Sequence, residues 1–129
     1  MKVHHIGYLV KNIDKSIAAF RTLGFRVTID ATWDDGRDAY LSFLENGGYC
    51  VELIAPSKES DLYPLLKQYN HAPYHMCYQC DNLEETIHEL KAEKFMLFKE
   101  PALAPVIGEH ARVAFLMNAR AGMIELVEE

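Results

Sequence analysis

Two histidines and two glutamates carry the chemistry that this sequence suggests. His5 opens the run His5-Ile6-Gly7-Tyr8-Leu9-Val10, and His75 stands in Tyr74-His75-Met76-Cys77-Tyr78. Glu52 lies between Val51 and Leu53, and Glu125 lies between Ile124 and Leu126. Glutamate is depleted in strands and is rarely buried, so an acid in the middle of an aliphatic, strand-forming run is unusual. Here it occurs twice. A buried carboxylate is costly unless it is paired or bound to a metal. Two carboxylates and two imidazoles make an N2O2 donor set for one divalent cation, and the two negative charges cancel its charge. Any one of the four, taken singly, reads more simply as a surface or core residue. As a set at matching positions they read as a site.

The matching positions come from an internal repeat. Shifting the chain by 70 residues lays His5–Val27 on His75–Leu97 without a gap: His5 meets His75, Tyr8 meets Tyr78, Asn12 meets Asn82, Ile17 meets Ile87 and Phe25 meets Phe95. Shifting by 73 lays Val51-Glu52-Leu53 on Ile124-Glu125-Leu126. Each copy reads as strand, helix and further strands. Asn12 caps a helix that ends before Gly24, with Ile13, Ile17 and Phe20 as its apolar stripe. Asn82 caps its counterpart, with Leu83, Ile87 and Leu90 as the stripe and Glu85 as capping-box partner. Strands are expected near 25–31, 40–44 and 49–54, and near 95–99, 113–117 and 123–127. Glu45-Asn46-Gly47-Gly48 makes a hairpin turn. The domain reading is one domain over 1–129: module 1–56, linker 57–73 and module 74–129. A short helix is expected at 60–69, with Pro64 in its first turn.

Strand side chains alternate, so the face toward each helix follows from the pattern. Ile6, Tyr8 and Val10 take the helix face with Val51 and Leu53. His5 and Glu52 then share the opposite face, and the repeat gives His75 and Glu125 the same direction.

Composition narrows the rest. The chain has 13 basic and 19 acidic residues, a formal net charge of −6, and no Lys/Arg-rich run, which argues against a nucleic-acid partner. No apolar stretch approaches the roughly 20 residues of a bilayer span, and Met1-Lys2-Val3-His4-His5 is no secretory leader. The expectation is a soluble, cytoplasmic protein with no membrane partner. Three cysteines imply no disulfide framework. Cys77-Tyr78-Gln79-Cys80 spells a CxxC but lies on a strand, where residues three apart point to opposite faces, so it reads as coincidence.

On these residues the chain resembles the vicinal oxygen chelate superfamily, the group of glyoxalase I, methylmalonyl-CoA epimerase, extradiol dioxygenases and bleomycin-resistance proteins. The motifs that carry the resemblance are His4-His5-Ile6-Gly7-Tyr8, Val51-Glu52-Leu53-Ile54-Ala55-Pro56, Tyr74-His75-Met76-Cys77-Tyr78, and Arg112-Val113-Ala114-Phe115-Leu116 leading to Ile124-Glu125-Leu126. The resemblance implies an α+β, glyoxalase-like fold: tandem βαβββ modules forming a curved, mostly antiparallel sheet around a metal site. By position, His5, Glu52, His75 and Glu125 match the four ligand places. The ion would be Zn, Ni, Co or Mn.

The last motifs look most like methylmalonyl-CoA epimerase, which implies a metal-dependent isomerase or epimerase that removes a proton next to a carbonyl. Two departures keep a lactoylglutathione lyase (glyoxalase I) close behind. Some epimerases carry an amide where Glu52 stands, and no acid lies between Tyr40 and Leu44, where the epimerase type supplies a second base. A noncatalytic, bleomycin-resistance-like binding protein is the third reading. The resemblance makes Glu125 the first choice as base and Glu52 the second. Tyr40, Cys77 and Arg112 are the expected substrate contacts, with Arg112, like Arg37, suited to an anionic group. The expected partners are a thioester or a thiol adduct of a carbonyl compound and a second copy of the chain, as a homodimer. The loop at 101–111 is long enough to act as a lid.

Overall fold

The structure, a computed structural model, describes residues 1–129. Its elements run β1 (Lys2–Leu9), α1 (Ile13–Thr22), β2 (Arg26–Asp34), β3 (Ala39–Asn46), β4 (Tyr49–Pro56), α2 (Tyr63–Tyr69), β5 (Ala72–Gln79), α3 (Leu83–Ala92), β6 (Met96–Leu103), β7 (Arg112–Asn118) and β8 (Gly122–Glu128). The fold is α+β, and none of its helices is long and apolar enough to cross a membrane. Two compact units emerge: His5–Tyr74, and His75–Glu129 together with Met1–His4.

In the unit His5–Tyr74 the strand order is β2-β3-β4-β1, with β1 and β4 parallel and the other two ladders antiparallel. Asn12 starts α1 by accepting a hydrogen bond from the Lys15 amide at 3.0 Å. Gly24, at φ +99°, ends it in the left-handed conformation that glycine adopts without a Cβ clash. Between these stops the helix turns Ile13 and Ile17 onto Leu44, Val51, Leu53 and Ala55, with Tyr8 and Phe20 packed at the margin. That packing assigns the faces: Val51 and Leu53 lie under the helix, so Glu52 and Ile54 point the other way. The strand expected near 25–31 continues to Asp34, with register shifts along its ladder to β3. The linker helix is shorter than the 60–69 expected, running Tyr63–Tyr69 with Pro64 at its start, where no amide hydrogen is needed.

The other unit repeats the plan with order β5-β8-β7-β6, β5 and β8 being parallel. Asn82 caps α3 on the Glu85 amide at 2.9 Å. Leu83 and Ile87 pack on Ala114, Leu116, Ile124 and Leu126. Where the first copy has Gly24, this one has Lys94, which adopts φ +68° with a side chain present. The bounds expected for the loop, 101–111, are corrected here. Strand β6 runs on through Pro101 to Leu103, which leaves 104–111 as the loop. Proline is tolerated because β6 is the last strand of the order and its ladder to β7 is irregular between Lys99 and Ala102.

Arg112 clamps α3 to the end of this sheet. Its guanidinium donates to both carboxylate oxygens of Glu84 on α3, at 2.6 and 2.9 Å, and to Glu128, its cross-strand partner, at 2.7 Å. Glu128 also accepts the Leu83 amide hydrogen at 2.8 Å at the start of α3. The hydrogen bonds from Arg112 hold the Glu84 and Glu128 carboxyls below the usual carboxylate range. A carboxyl whose folded pKa is depressed stabilises the fold above its unfolded pKa and stops doing so as the pH falls through the folded value. Arg112→Gln is therefore expected to melt below the parent protein at neutral pH, with the gap closing below about pH 4. Melting curves across that range check this. A gap that stays constant into acid refutes it.

Candidate functional site

Each unit buries one histidine beside one glutamate. In the unit His5–Tyr74, β1 carries His5 and β4 carries Glu52, and the parallel register sets Gly7 opposite Glu52. Both side chains are completely buried, with His5 Nε2 3.5 Å from Glu52 Oε1. In the other unit β5 carries His75 and β8 carries Glu125, with Cys77 opposite Glu125. These two are also completely buried, with His75 Nε2 3.2 Å from Glu125 Oε1.

A phenylalanine completes each pair. Phe43 stands directly across the β3–β4 ladder from Glu52, and its ring meets the His5 imidazole edge to face at 5.2 Å. Phe115 stands across the β7–β8 ladder from Glu125 and meets His75 in the same way at 5.4 Å. The rings wall each imidazole on one side and so limit its rotation. Neither phenylalanine stood out as a site residue in the sequence, although a shift of 72 residues, between the two that define the repeat, lays Phe43-Leu44 on Phe115-Leu116.

The donor atoms fit a metal. Two ligands each about 2.1 Å from one ion at a tetrahedral angle lie roughly 3.4 Å apart, and the two nitrogen–oxygen separations bracket that value. The separation of 3.5 Å is longer than a good N–H···O hydrogen bond. Neutral imidazole and carboxylate are ligands that zinc, nickel, cobalt and manganese accept.

Arg37 is the further charge at Glu52. It stands in the turn between β2 and β3 with Nη1 3.3 Å from Glu52 Oε1 and Nε 3.3 Å from Asp34 Oδ2. Cys50 stands two residues before Glu52 on the same face. Burial pushes its thiol up to about 11, and the charges of Glu52 and Glu45 add to the rise.

The three residues expected at the substrate divide. Cys77 is buried on the His75 face and packs among Ala104, Ala111, Val113 and Val127. Tyr40 lies on the opposite face from Glu52: it pairs across the ladder with Ala55, which belongs to the helix side, and packs edge-on against Trp33 at 5.0 Å. The reason is strand parity, since Tyr40 is three residues from Phe43. Arg112 is taken up by Glu84 and Glu128, which accounts for its charge without a substrate. Cys77 and Cys80 form no disulfide.

Residues 4–115 match the profile of the Glyoxalase/Bleomycin resistance protein/Dioxygenase superfamily. The chain belongs to this superfamily. Solved structures of similar fold include a hypothetical protein, BH1468, from Bacillus halodurans C-125, at 26% identity and TM-score 0.87, covering 99% of this chain and 94% of that one. Methylmalonyl-CoA epimerase from Mycobacterium tuberculosis is similar at 20% identity and TM-score 0.85, covering 98% and 87%. A methylmalonyl-CoA epimerase in complex with methylmalonyl-CoA and NH4+ is similar at 18% identity and TM-score 0.84, covering 99% and 94%. At such identities the epimerases establish the shared fold. No curated protein matches the chain.

The two aromatic contacts can be tested by themselves. Phe43→Leu and Phe115→Leu each remove an edge-to-face contact of order 0.5–1.5 kcal/mol. Both variants are expected to unfold at lower urea by comparable amounts. A variant as stable as the parent means that its ring contact contributes nothing.

Proposed function

We propose that the two histidine–glutamate pairs share one divalent ion and that the protein is a metal-dependent isomerase or epimerase of this superfamily, acting on a carbon next to a carbonyl. The observation that carries the reading is the second occurrence of a fully buried His–Glu pair at repeat-related positions, each at ligand spacing. His5, Glu52, His75 and Glu125 would be the ligands. A divalent ion so held supplies electrostatic stabilisation of the negative charge that develops on the carbonyl oxygen when the adjacent carbon loses its proton.

Glu125 is the base in this reading. Its carboxylate takes the proton from carbon and returns it to the neighbouring carbon in an isomerisation, or to the opposite face in an epimerisation once the planar carbon has turned over before it. Glu52 is the alternative base. The buried setting of both pairs keeps bulk water from the carbanionic carbon and strengthens each electrostatic contact. A thioester is the favoured substrate class, because the epimerases of similar fold are methylmalonyl-CoA enzymes. The second reading, a lactoylglutathione-lyase type acting on a hemithioacetal, is favoured by one feature, a carboxylate rather than an amide at position 52.

Parallel assays on methylmalonyl-CoA and on methylglyoxal with a thiol separate the two enzyme readings. Turnover on the thioester, abolished by a chelator and restored by a divalent metal, is the expected result. Purified protein that takes up no metal and turns over neither substrate leaves only the noncatalytic binding reading. Glu125→Gln is expected to lose roughly a hundred- to ten-thousandfold in turnover, the usual range for a positioned base. Full activity in that variant refutes the assigned role. The homodimer reading predicts twice the chain mass by light scattering at micromolar concentration, and a monomer there refutes it.

A further inference from the structure

The arginine that meets Glu52 comes from a turn, where such side chains ordinarily extend into water. Arg37 instead lies inward and is only 12% exposed, with its guanidinium against a carboxylate that is completely buried. The turn is built to hold it there. Asp34 Oδ1 accepts the Gly36 amide hydrogen at 3.0 Å, and Asp34 Oδ2 takes Arg37 Nε at 3.3 Å. The Arg37 carbonyl accepts the Ser60 hydroxyl at 2.6 Å, and the next carbonyl, of Asp38, accepts the Ser57 amide at 2.8 Å. Asp38 itself sits at φ +49°, a left-handed conformation that closes the turn at some cost to a residue with a side chain. Both ends of the arginine are therefore tied down. The guanidinium is planar with its donors in a fixed fork, so setting Nε on one carboxylate fixes where Nη1 points.

We propose that Arg37 is the positioning residue of Glu52, holding Oε1 so that the carboxylate meets a metal ion in one orientation. The inference rests on the metal-dependent reading above. The last torsion of a glutamate is broad and roughly two-fold, so an unrestrained carboxylate offers either oxygen over a range of angles. A donor fixed on one oxygen removes that freedom, as partners of metal ligands commonly do. Charge alone acts in the opposite direction: a guanidinium near a cation site repels the cation. The two roles therefore predict opposite signs. If Arg37 acts only by charge, its removal tightens metal binding. If it positions Glu52, its removal weakens binding although a repulsive charge has been taken away.

Cobalt(II) titration of the metal-free, full-length protein, followed by calorimetry and visible absorption, tells them apart. Arg37→Gln is expected to weaken cobalt binding roughly ten- to a hundredfold and to alter the ligand-field bands. Arg37→Lys keeps the charge but loses the fork, and is expected to stay weak. Asp34→Asn, which loosens the guanidinium while leaving Arg37 present, is expected to fall between. Should Arg37→Gln fail to fold, Asp34→Asn and Arg37→Lys carry the test. Unchanged or tighter binding in the variants that fold, or full recovery in Arg37→Lys, overturns the proposal. If the parent protein binds none of cobalt, zinc, nickel or manganese, the metal-dependent reading itself falls and this inference with it. Parent binding with indifferent variants removes only the role of Arg37.

Discussion

The constraint on which everything else turns is a carboxylate buried in the middle of a strand. Glu52 and Glu125 have no access to solvent, and each is flanked along its strand by aliphatic residues seated under a helix. The side-chain period of a strand is two, so a slip of one residue would turn the aliphatic set onto the face of the histidines and drive the acid into the helix-side core. Register is therefore held by two penalties acting together. The helix–sheet core fixes which way Glu52 and Glu125 point, and the cost of burying them fixes what must stand nearby. A histidine on the parallel neighbour strand, two residues before the small residue opposite the glutamate, answers that need in each unit.

Charge outside these pairs is sorted by face. On the helix side of the second unit, Arg112, Glu84 and Glu128 form a partly exposed network that joins α3 to β7 and β8, and it serves the architecture. On the Glu52 face of the first unit, Arg37 is drawn inward by Asp34 and meets a buried carboxylate. Both arginines looked alike in the sequence as holders of an anion. Their distinct uses come from what each strand register and turn places within about 3 Å of the guanidinium, the range of a direct hydrogen bond.

Much of the fold was legible because local signals agreed with the global pattern. Asn12 and Asn82 are caps, Gly24 is a stop, and the aliphatic stripes of both helices face the sheet. The faces of His5, Glu52, His75 and Glu125 followed from alternation alone. What periodicity did not show shares one cause. The extent of β6, the orientation of Tyr40 and the partners of Arg112 depend on irregular ladders or on contacts far apart in the chain, to which periodicity is blind.

The amino-acid sequence by itself determined the duplication, the two helices with their stops, and the inward direction of two histidines and two glutamates. These rest on period-two and period-3.6 patterns and on capping, all local in the chain. Only the tertiary structure decided that His5 and Glu52, and His75 and Glu125, stand at ligand spacing, that Phe43 and Phe115 wall the imidazoles, and that Arg37 rather than Arg112 reaches a site carboxylate. The physical reason is that these are distances between side chains on different strands, set by ladder register and turn geometry, and no spacing along one strand encodes them.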